Sequence, residues 1–395
     1  MSNSQIANPE LYDPRKVLDH PDFRVLNSGE KPSKESNIAA FYNPAHEIHL
    51  VEKPKPKPGP GQVLIHVRAT GICGQVPFMP LSPDVHFWKH GRIGDSMIVT
   101  DECGSGHESA GEIVEVGEGF RSNIYESGDR VAMEVGVPCS KPSCDACRTG
   151  RYNGCPDVVF FSTPPYHGTL TRWHVHPAQW LHRLPDNVSF EEGSLCEPLA
   201  VALAGIERAG LRLGDPVVIC GAGPIGLVSL LSARAAGAEP IVITDLFQSR
   251  LDFAKSLVPG VHTVLIDRNA TPKAQADMIK KAAGGPLQLA LECTGVESSI
   301  HTAIFSVGFG AKVFIIGVGR NEQLFPFMHL SANEIDVQFQ YRYANQYPKA
   351  IRLIAGGLIN IKPLVTHRFT LEEAVAAFHV AADPAQGAIK VQIQD

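Results

Sequence analysis

Apolar positions along the chain follow two rhythms. Between about 38 and 134 the period is two. Val63, Ile65 and Val67 alternate with Leu64, His66 and Arg68, the pattern of a strand with a buried face. Short strands are predicted at 111–117 and 128–133, opening on Gly111 and Gly128. Several such strands separated by turns suggest a small barrel or sandwich. Residues 1–37 are polar and dotted with prolines, which predicts a loosely held leader. Ser189 and Glu192 make a Ser-x-x-Glu capping box where a helix should begin. Pro198 suits the first turn of another helix, reaching about 209. From Asp215 the pattern changes. Strands are predicted at 217–220, 241–244, 263–266, 289–292, 313–316 and 336–341, with helical stretches between the earlier ones. That succession predicts an α/β fold with a doubly wound parallel sheet. A helix starting near Gln346 leads into a tail, 366–394, rich in β-branched and apolar residues. The tail suits a return to the first domain.

Composition narrows the class. With 44% hydrophobic and 19% charged residues, the chain is a globular protein and not a disordered or fibrous one. Its 395 residues suggest two to three domains at about 150 residues each. A net charge of −6 and the lack of a Lys/Arg run argue against a nucleic-acid partner. Residues 216–233 carry no charge, but Gly221, Gly223, Pro224 and Gly226 interrupt them. A strand, turn and helix explain that stretch better than a membrane span. Residues 1–15 are polar, without the apolar core of an export signal. A cytoplasmic location is expected, with the nine cysteines as thiols or metal ligands.

Three groups of residues carry chemistry. The first is Gly221-Ala222-Gly223-Pro224-Ile225-Gly226, with Asp245 19 residues further on. After an apolar strand and before a helix, this spacing fits a dinucleotide site. The glycines let the backbone approach a pyrophosphate, and Asp245 would accept hydrogen bonds from the adenosine ribose. A carboxylate there favours NAD over NADP; Arg250, close by, slightly weakens that inference. The second is Cys139-x4-Cys144-x2-Cys147-x7-Cys155, a set suited to tetrahedral zinc in a loop with little core of its own. An iron–sulfur cluster or redox thiols are the alternatives. The third is dispersed: Cys73, Asp84, His86, His107, Glu108 and Glu197. These are donor types for a catalytic zinc, but spacing alone does not join them. His174 and His176 point to one face of a strand and read as surface residues.

At Gly71-Ile72-Cys73-Gly74, Asp84-Val85-His86-Phe87-Trp88 and Gly106-His107-Glu108 the chain resembles the zinc-dependent medium-chain alcohol and polyol dehydrogenases. Cys196-Glu197-Pro198-Leu199, Glu292-Cys293-Thr294-Gly295 and Tyr341-Arg342-Tyr343 extend the resemblance over nearly the whole chain, and the polyol branch fits best. The resemblance implies a Rossmann domain, 201–344, inserted into a GroES-like β-barrel catalytic domain built from 38–200 and 345–395. It implies two zinc ions per chain. One is surrounded by Cys73, His107 and Glu108 or Glu197, with Asp84 orienting His107 and His86 as a proton acceptor. The other is held by Cys139, Cys144, Cys147 and Cys155. Pro224, Ile225, Asp245, Arg250, Val318, Gln340 and Tyr341 match NAD-contacting positions, and Arg342 and Tyr343 match positions near the substrate, Arg342 near the cofactor as well. The implied reaction moves a hydride from a zinc-held alcohol to NAD. L-Arabinitol, oxidised at C4 to L-xylulose, is the expected substrate, with xylitol and sorbitol as alternatives. A homotetramer is also implied.

The chain departs from the family in one place. The family runs Cys-Gly-Ser-Asp-Val-His; here residues 75–83, Gln75 to Pro83, stand where one Ser is expected. This net insertion of eight residues displaces a proton-relay hydroxyl. Lowered activity is the expected consequence, and an inactive NAD- and zinc-binding homologue is the alternative.

Overall fold

The computed structural model of the protein describes residues 22–27, 29, 30, 32–74, 83–118 and 124–395. They form two compact units, one of the described residues up to Glu197 together with Leu364–Asp395, the other Pro198–Pro363.

The first unit is built on β1 (Gln62–Ile72), β2 (Glu108–Val116), β3 (Arg130–Met133), β4 (Trp173–Pro177) and β5 (Leu181–Arg183). They run antiparallel in the order β5-β3-β2-β1, with β4 on the other side of β1. The period-two residues Val63, Ile65 and Val67 are buried against Ile113, Val131, Met133 and Leu181, so the apolar rhythm reports one face of this sheet. The second strand begins at Glu108, earlier than its predicted start, because Gly111 sits inside the ladder opposite Val67 and does not end it.

Three helices belong with these strands or follow them: α1 (Pro83–His90), α2 (Phe190–Ser194) and α3 (Cys196–Ala209). The capping box before α2 is formed. Ser189 Oγ accepts from Glu192 N, and the Glu192 carboxylate accepts from Ser189 N. Pro198 lies in the first turn of α3, where a missing N–H leaves no bond unmade.

Part of the expected leader, residues 1–21, 28 and 31, lies outside the described residues. The rest of it is held. Val25 pairs with Val51, Leu26 is buried, and the carbonyls of Ser33 and Ser36 accept from the buried Arg172 guanidinium.

The second unit carries β6 (Val217–Cys220), β7 (Ile241–Asp245), β8 (His262–Leu265), β9 (Leu287–Glu292), β10 (Val307–Ile315) and β11 (Asp336–Phe339). All pairs are parallel, in the order β8-β7-β6-β9-β10-β11. The order reverses at β6 and β9, the switch point where doubly wound sheets bind their ligands. The 216–233 stretch is β6, a turn and α4 (Pro224–Ala235). No helix of the described residues is long and apolar enough to cross a membrane. β10 starts six residues before the predicted 313 because a register irregularity and Gly308 and Gly310 hide its opening from an apolar pattern.

The chain then forms α5 (Tyr347–Ala355) and returns to the first sheet as β12 (Val365–Thr370) and β13 (Lys390–Gln394). β13 runs parallel to β12 and antiparallel to β1. The chain passes between units at 197/198 and 363/364, where the resemblance implies crossings at 200/201 and 344/345. Residues 345–363 stay with the second unit because Gln346 and Lys349 reach the Glu207 carboxylate on α3.

Candidate active site and metal centres

The dispersed group is assembled by β1, β2 and α1. Cys73 follows β1 directly, and Glu108 opens β2 opposite Gly71 of β1. A Cβ at Gly71 would stand 2.1 Å from Oε2 of Glu108, so only glycine leaves room for that carboxylate. One ligand atom each from Cys73, His107 and Glu108 lies within 4.8 Å of the others. Asp84, fully buried on α1, ties the set together. Its Oδ2 accepts from Cys73 N at 3.0 Å, and its Oδ1 accepts from Gly106 N at 3.1 Å. Nδ1 of His107 lies 3.3 Å from Asp84 Oδ1 and 3.0 Å from Ser162 Oγ. With Nδ1 engaged, Nε2 is the nitrogen available to a metal. Ser162, which the sequence reading passed over, joins this network through a contact 55 residues along the chain.

Burial pushes the Cys73 thiol up. Burial also opposes the Asp84 charge, but His107 and the Cys73 and Gly106 N–H groups outweigh it and hold the carboxyl below its ordinary value. The same Asp84 overcomes burial at His107 and raises its proton affinity.

Glu108 uses only one of its oxygens. Oε1 takes the Lys390 ammonium at 2.6 Å, and Oε2 is buried with no hydrogen-bond partner among the described residues. An orphaned carboxylate oxygen beside a thiol and an imidazole is a costly arrangement that a cation relieves. The donor set fits zinc.

Lys390 was not singled out in the sequence, although a signal existed. In β13 it shares the polar face of an alternation with Gln392 and Gln394, between Ile389, Val391 and Ile393. Glu197 is buried in the first turn of α3 and adds to the negative field around Lys390. It lies outside the converging set of three. His86, on α1, is buried, and its Nδ1 has no hydrogen-bond partner among the described residues. Burial, then His90 4.7 Å away between ring centroids, pushes it down to about 4. The ring is therefore neutral near pH 7. Of the inserted stretch 75–83, residues 75–82 lie outside the described residues, and Pro83 opens α1.

The four-cysteine lobe also converges. All four sulfurs lie within 4.8 Å of one another, with Cys139 Sγ 3.7 Å from Cys147 Sγ and Cys144 Sγ 3.9 Å from Cys155 Sγ. Zn–S bonds of about 2.3 Å place tetrahedral sulfurs about 3.8 Å apart, so these spacings match. None of the nine cysteines is in a disulfide.

In the second unit the turn after β6 has the predicted form. Gly223 caps α4, Pro224 and Ile225 open it, and a Cβ at Gly226 would stand 1.8 Å from Gly221 O. Asp245 ends β7. Its Oδ2 accepts from Ala222 N at 2.8 Å and its Oδ1 from Phe247 N at 3.0 Å, so the carboxylate also braces the glycine turn. Arg250 Nη1 is 3.8 Å from Asp245. Val318 and Tyr341 are half-exposed. The Gln340 amide donates to Arg342 O and to Val201 O, and fixes the chain where Arg342 has a φ of 53°. Tyr343 is buried with its ring centroid 5.5 Å from that of Tyr347.

His174 and His176 do share a face of β4, but they are buried, not on the surface. His176 Nδ1 lies 3.4 Å from His174 Nε2, and its Nε2 lies 3.2 Å from Glu134 O. The pleat places them correctly; the packing of Phe161 over both rings is a long-range fact.

Two family models match the chain. Residues 59–186 match the alcohol dehydrogenase GroES-like domain and residues 224–356 the zinc-binding dehydrogenase domain. An L-arabinitol 4-dehydrogenase of Aureobasidium melanogenum is 54% identical over 92% of this chain and 97% of its own. A sorbitol dehydrogenase of Bos taurus is 41% identical over 88% of this chain and 94% of its own. Among solved structures, an oxidoreductase of unknown specificity from Escherichia coli superposes with a TM-score of 0.80 at 32% identity, over 91% of this chain and 99% of that one. The chain therefore belongs to the zinc-binding dehydrogenase family, in the polyol dehydrogenase branch that contains the first two of these relatives.

Proposed function

We propose that the chain is an NAD-linked, zinc-dependent polyol dehydrogenase that oxidises L-arabinitol at C4 to L-xylulose, with xylitol and sorbitol as competing substrates. The observation that carries this reading is the buried, unpartnered Oε2 of Glu108 on the carboxylate that converges with Cys73 and His107. The names of the relatives supply the substrate. Zinc held by these three residues would supply Lewis-acid chemistry, lowering the proton affinity of a substrate hydroxyl. Asp84 fixes the tautomer of His107 and keeps its ring aimed at the metal. Glu197, at the start of α3 where the helix dipole favours negative charge, adds to the field of the site. The proton released by the alcohol leaves through water, with Nδ1 of the neutral His86 as its transient acceptor. The turn from Gly221 to Gly226 and the start of α4 receive the pyrophosphate of NAD. Asp245 accepts from the ribose hydroxyls and repels a 2′-phosphate. Arg250, Val318, Gln340 and Tyr341 line the cofactor, and Arg342 and Tyr343 hold the distal hydroxyls of the polyol, Arg342 touching the cofactor as well.

Cys139, Cys144, Cys147 and Cys155 hold a second, structural zinc, supported by sulfur spacings that fit a tetrahedron. A homotetramer in the cytoplasm completes the reading. Exposed Phe309, Phe327, Met328 and Phe339, the last on the edge strand β11, support association, and nine cysteines outside any disulfide suit a reducing compartment. The test is metal analysis combined with NADH formation at 340 nm. Two zincs per chain and polyol-dependent NADH formation with NAD, not NADP, are expected. One zinc per chain and no turnover would reject the reading.

A further inference from the structure

Lys390 and Glu108 form an ion pair in which the side chains are 3% and 1% exposed. We propose that Lys390 is a positioning residue of the catalytic metal site. Its ammonium holds Oε1 of Glu108 so that Oε2 alone is left to bind zinc, and its charge limits how tightly zinc is held. This rests on the reading of Cys73, His107 and Glu108 as a zinc site.

Three strands build the contact. β13 pairs Val391 with Ile72 of β1, which sets Lys390 beside the end of β1 and Cys73. Nζ then meets Glu108 Oε1 at 2.6 Å and the Ile72 carbonyl at 3.3 Å. Glu108 is 282 residues away in sequence, at the start of β2. The ammonium is thus tied to the main chain of the neighbouring strand β1 as well as to the Glu108 carboxylate on β2.

The consequence for a metal follows from two arguments. A carboxylate binds a cation through one oxygen or through both. With Oε1 occupied by Lys390, Glu108 offers one oxygen, and the position that a catalytic zinc keeps open stays open. Without Lys390, both oxygens are free to close on the metal and fill that position. The charges point the same way. A metal here meets the negative charges of Cys73, Glu108, Glu197 and Asp84, and the Lys390 ammonium offsets one of them. In a buried site that ammonium repels the metal and favours a substrate hydroxyl that sheds its proton. A residue that merely supported a ligand would act oppositely, since losing such a partner usually weakens metal binding by about 10–100-fold.

The test compares wild-type protein with Lys390→Met and Lys390→Gln. Two readouts are the rate of zinc transfer to excess chelator and the visible spectrum of protein reloaded with Co2+, which reports coordination number. The lobe zinc serves as an internal standard. Lys390→Met is expected to slow zinc release from the catalytic site by about tenfold, as loss of a repelling charge requires, and to weaken the cobalt bands as the coordination number rises. Its kcat falls while KM for NAD is unchanged. Lys390→Gln keeps a donor for Oε1 but loses the charge, so it should slow release while keeping the wild-type cobalt spectrum. Release that is unchanged or faster in either variant overturns the proposal. If Lys390→Met does not fold, Lys390→Gln decides alone by the same criterion. Wild-type protein that binds metal only in the lobe would overturn the zinc-site reading itself and this inference with it.

Discussion

Oδ1 of Asp84 lies 3.3 Å from Nδ1 of His107, and the two side chains are 0% and 4% exposed. The same carboxylate accepts from two main-chain N–H groups, so all its near partners are donors. In Asp84→Asn one N–H of the new amide would face a donor. The zinc affinity of the Cys73 site is expected to fall by about 10–100-fold, with a similar loss in kcat/KM. Metal analysis after dialysis against a chelator checks this: the variant should keep the lobe zinc alone, and the wild type both.

The lobe from Cys139 to Cys155 contains little buried apolar surface, and its short helix Asp145–Arg148 has no buried residue. Ligation must supply its order. Cys147→Ser should lose one zinc per chain and lower the thermal midpoint. A loss of about 3 kcal/mol corresponds to roughly 6–12 °C for a domain of this size. Calorimetry together with zinc analysis tests it; an unchanged midpoint would show that the lobe holds itself.

Acid should destabilise the first unit through His176. Burial pushes this ring down to about 3, whereas the unfolded chain titrates near 6.5. Between those values the unfolded state binds more protons, so stability rises with pH. The penalty is absent above about pH 6.5 and grows progressively below it, so that the stability lost reaches about 2 kcal/mol at pH 5. His174, Glu134 and His182 are the titratable groups around it. The Glu134 carboxylate is taken by Tyr152 and His182, so no carboxylate oxygen of Glu134 meets the ring, only its main-chain oxygen. Urea midpoints from pH 5 to 8 should fall more steeply on acidification in wild type than in His176→Gln.

Gly226 carries the close approach between the first turn of α4 and the strand β6. In Gly226→Ala the added methyl would lie 1.8 Å from the Gly221 carbonyl oxygen. Overpacking of this kind costs about 1–3 kcal/mol, and the displaced turn no longer receives a pyrophosphate. A raised KM for NAD with little change in zinc content is the expected result, measured by initial rates and metal analysis.

Much of the fold and of the site was legible in the sequence, because local chemistry carried it. The alternation at Val63, Ile65 and Val67, the Ser189–Glu192 box, the glycine turn before Asp245 and the four spaced cysteines each describe structure within about twenty residues. The catalytic set was not legible from spacing. Cys73, Asp84 and His107 meet only because β1, α1 and the chain before β2 converge, and resemblance to a family joined them. Lys390 and Ser162 were missed because their meaning depends on partners 282 and 55 residues away. The buried state of His174 and His176 was missed because periodicity names a face but not what covers it.

The most direct test of the account is NADH formation at 340 nm by zinc-loaded protein with L-arabinitol, xylitol and D-sorbitol in parallel, before and after removal of metal. The account predicts turnover that is fastest with L-arabinitol, is abolished by the chelator and is restored by zinc. A folded protein with both metal sites filled that forms no NADH from any of the three would contradict it.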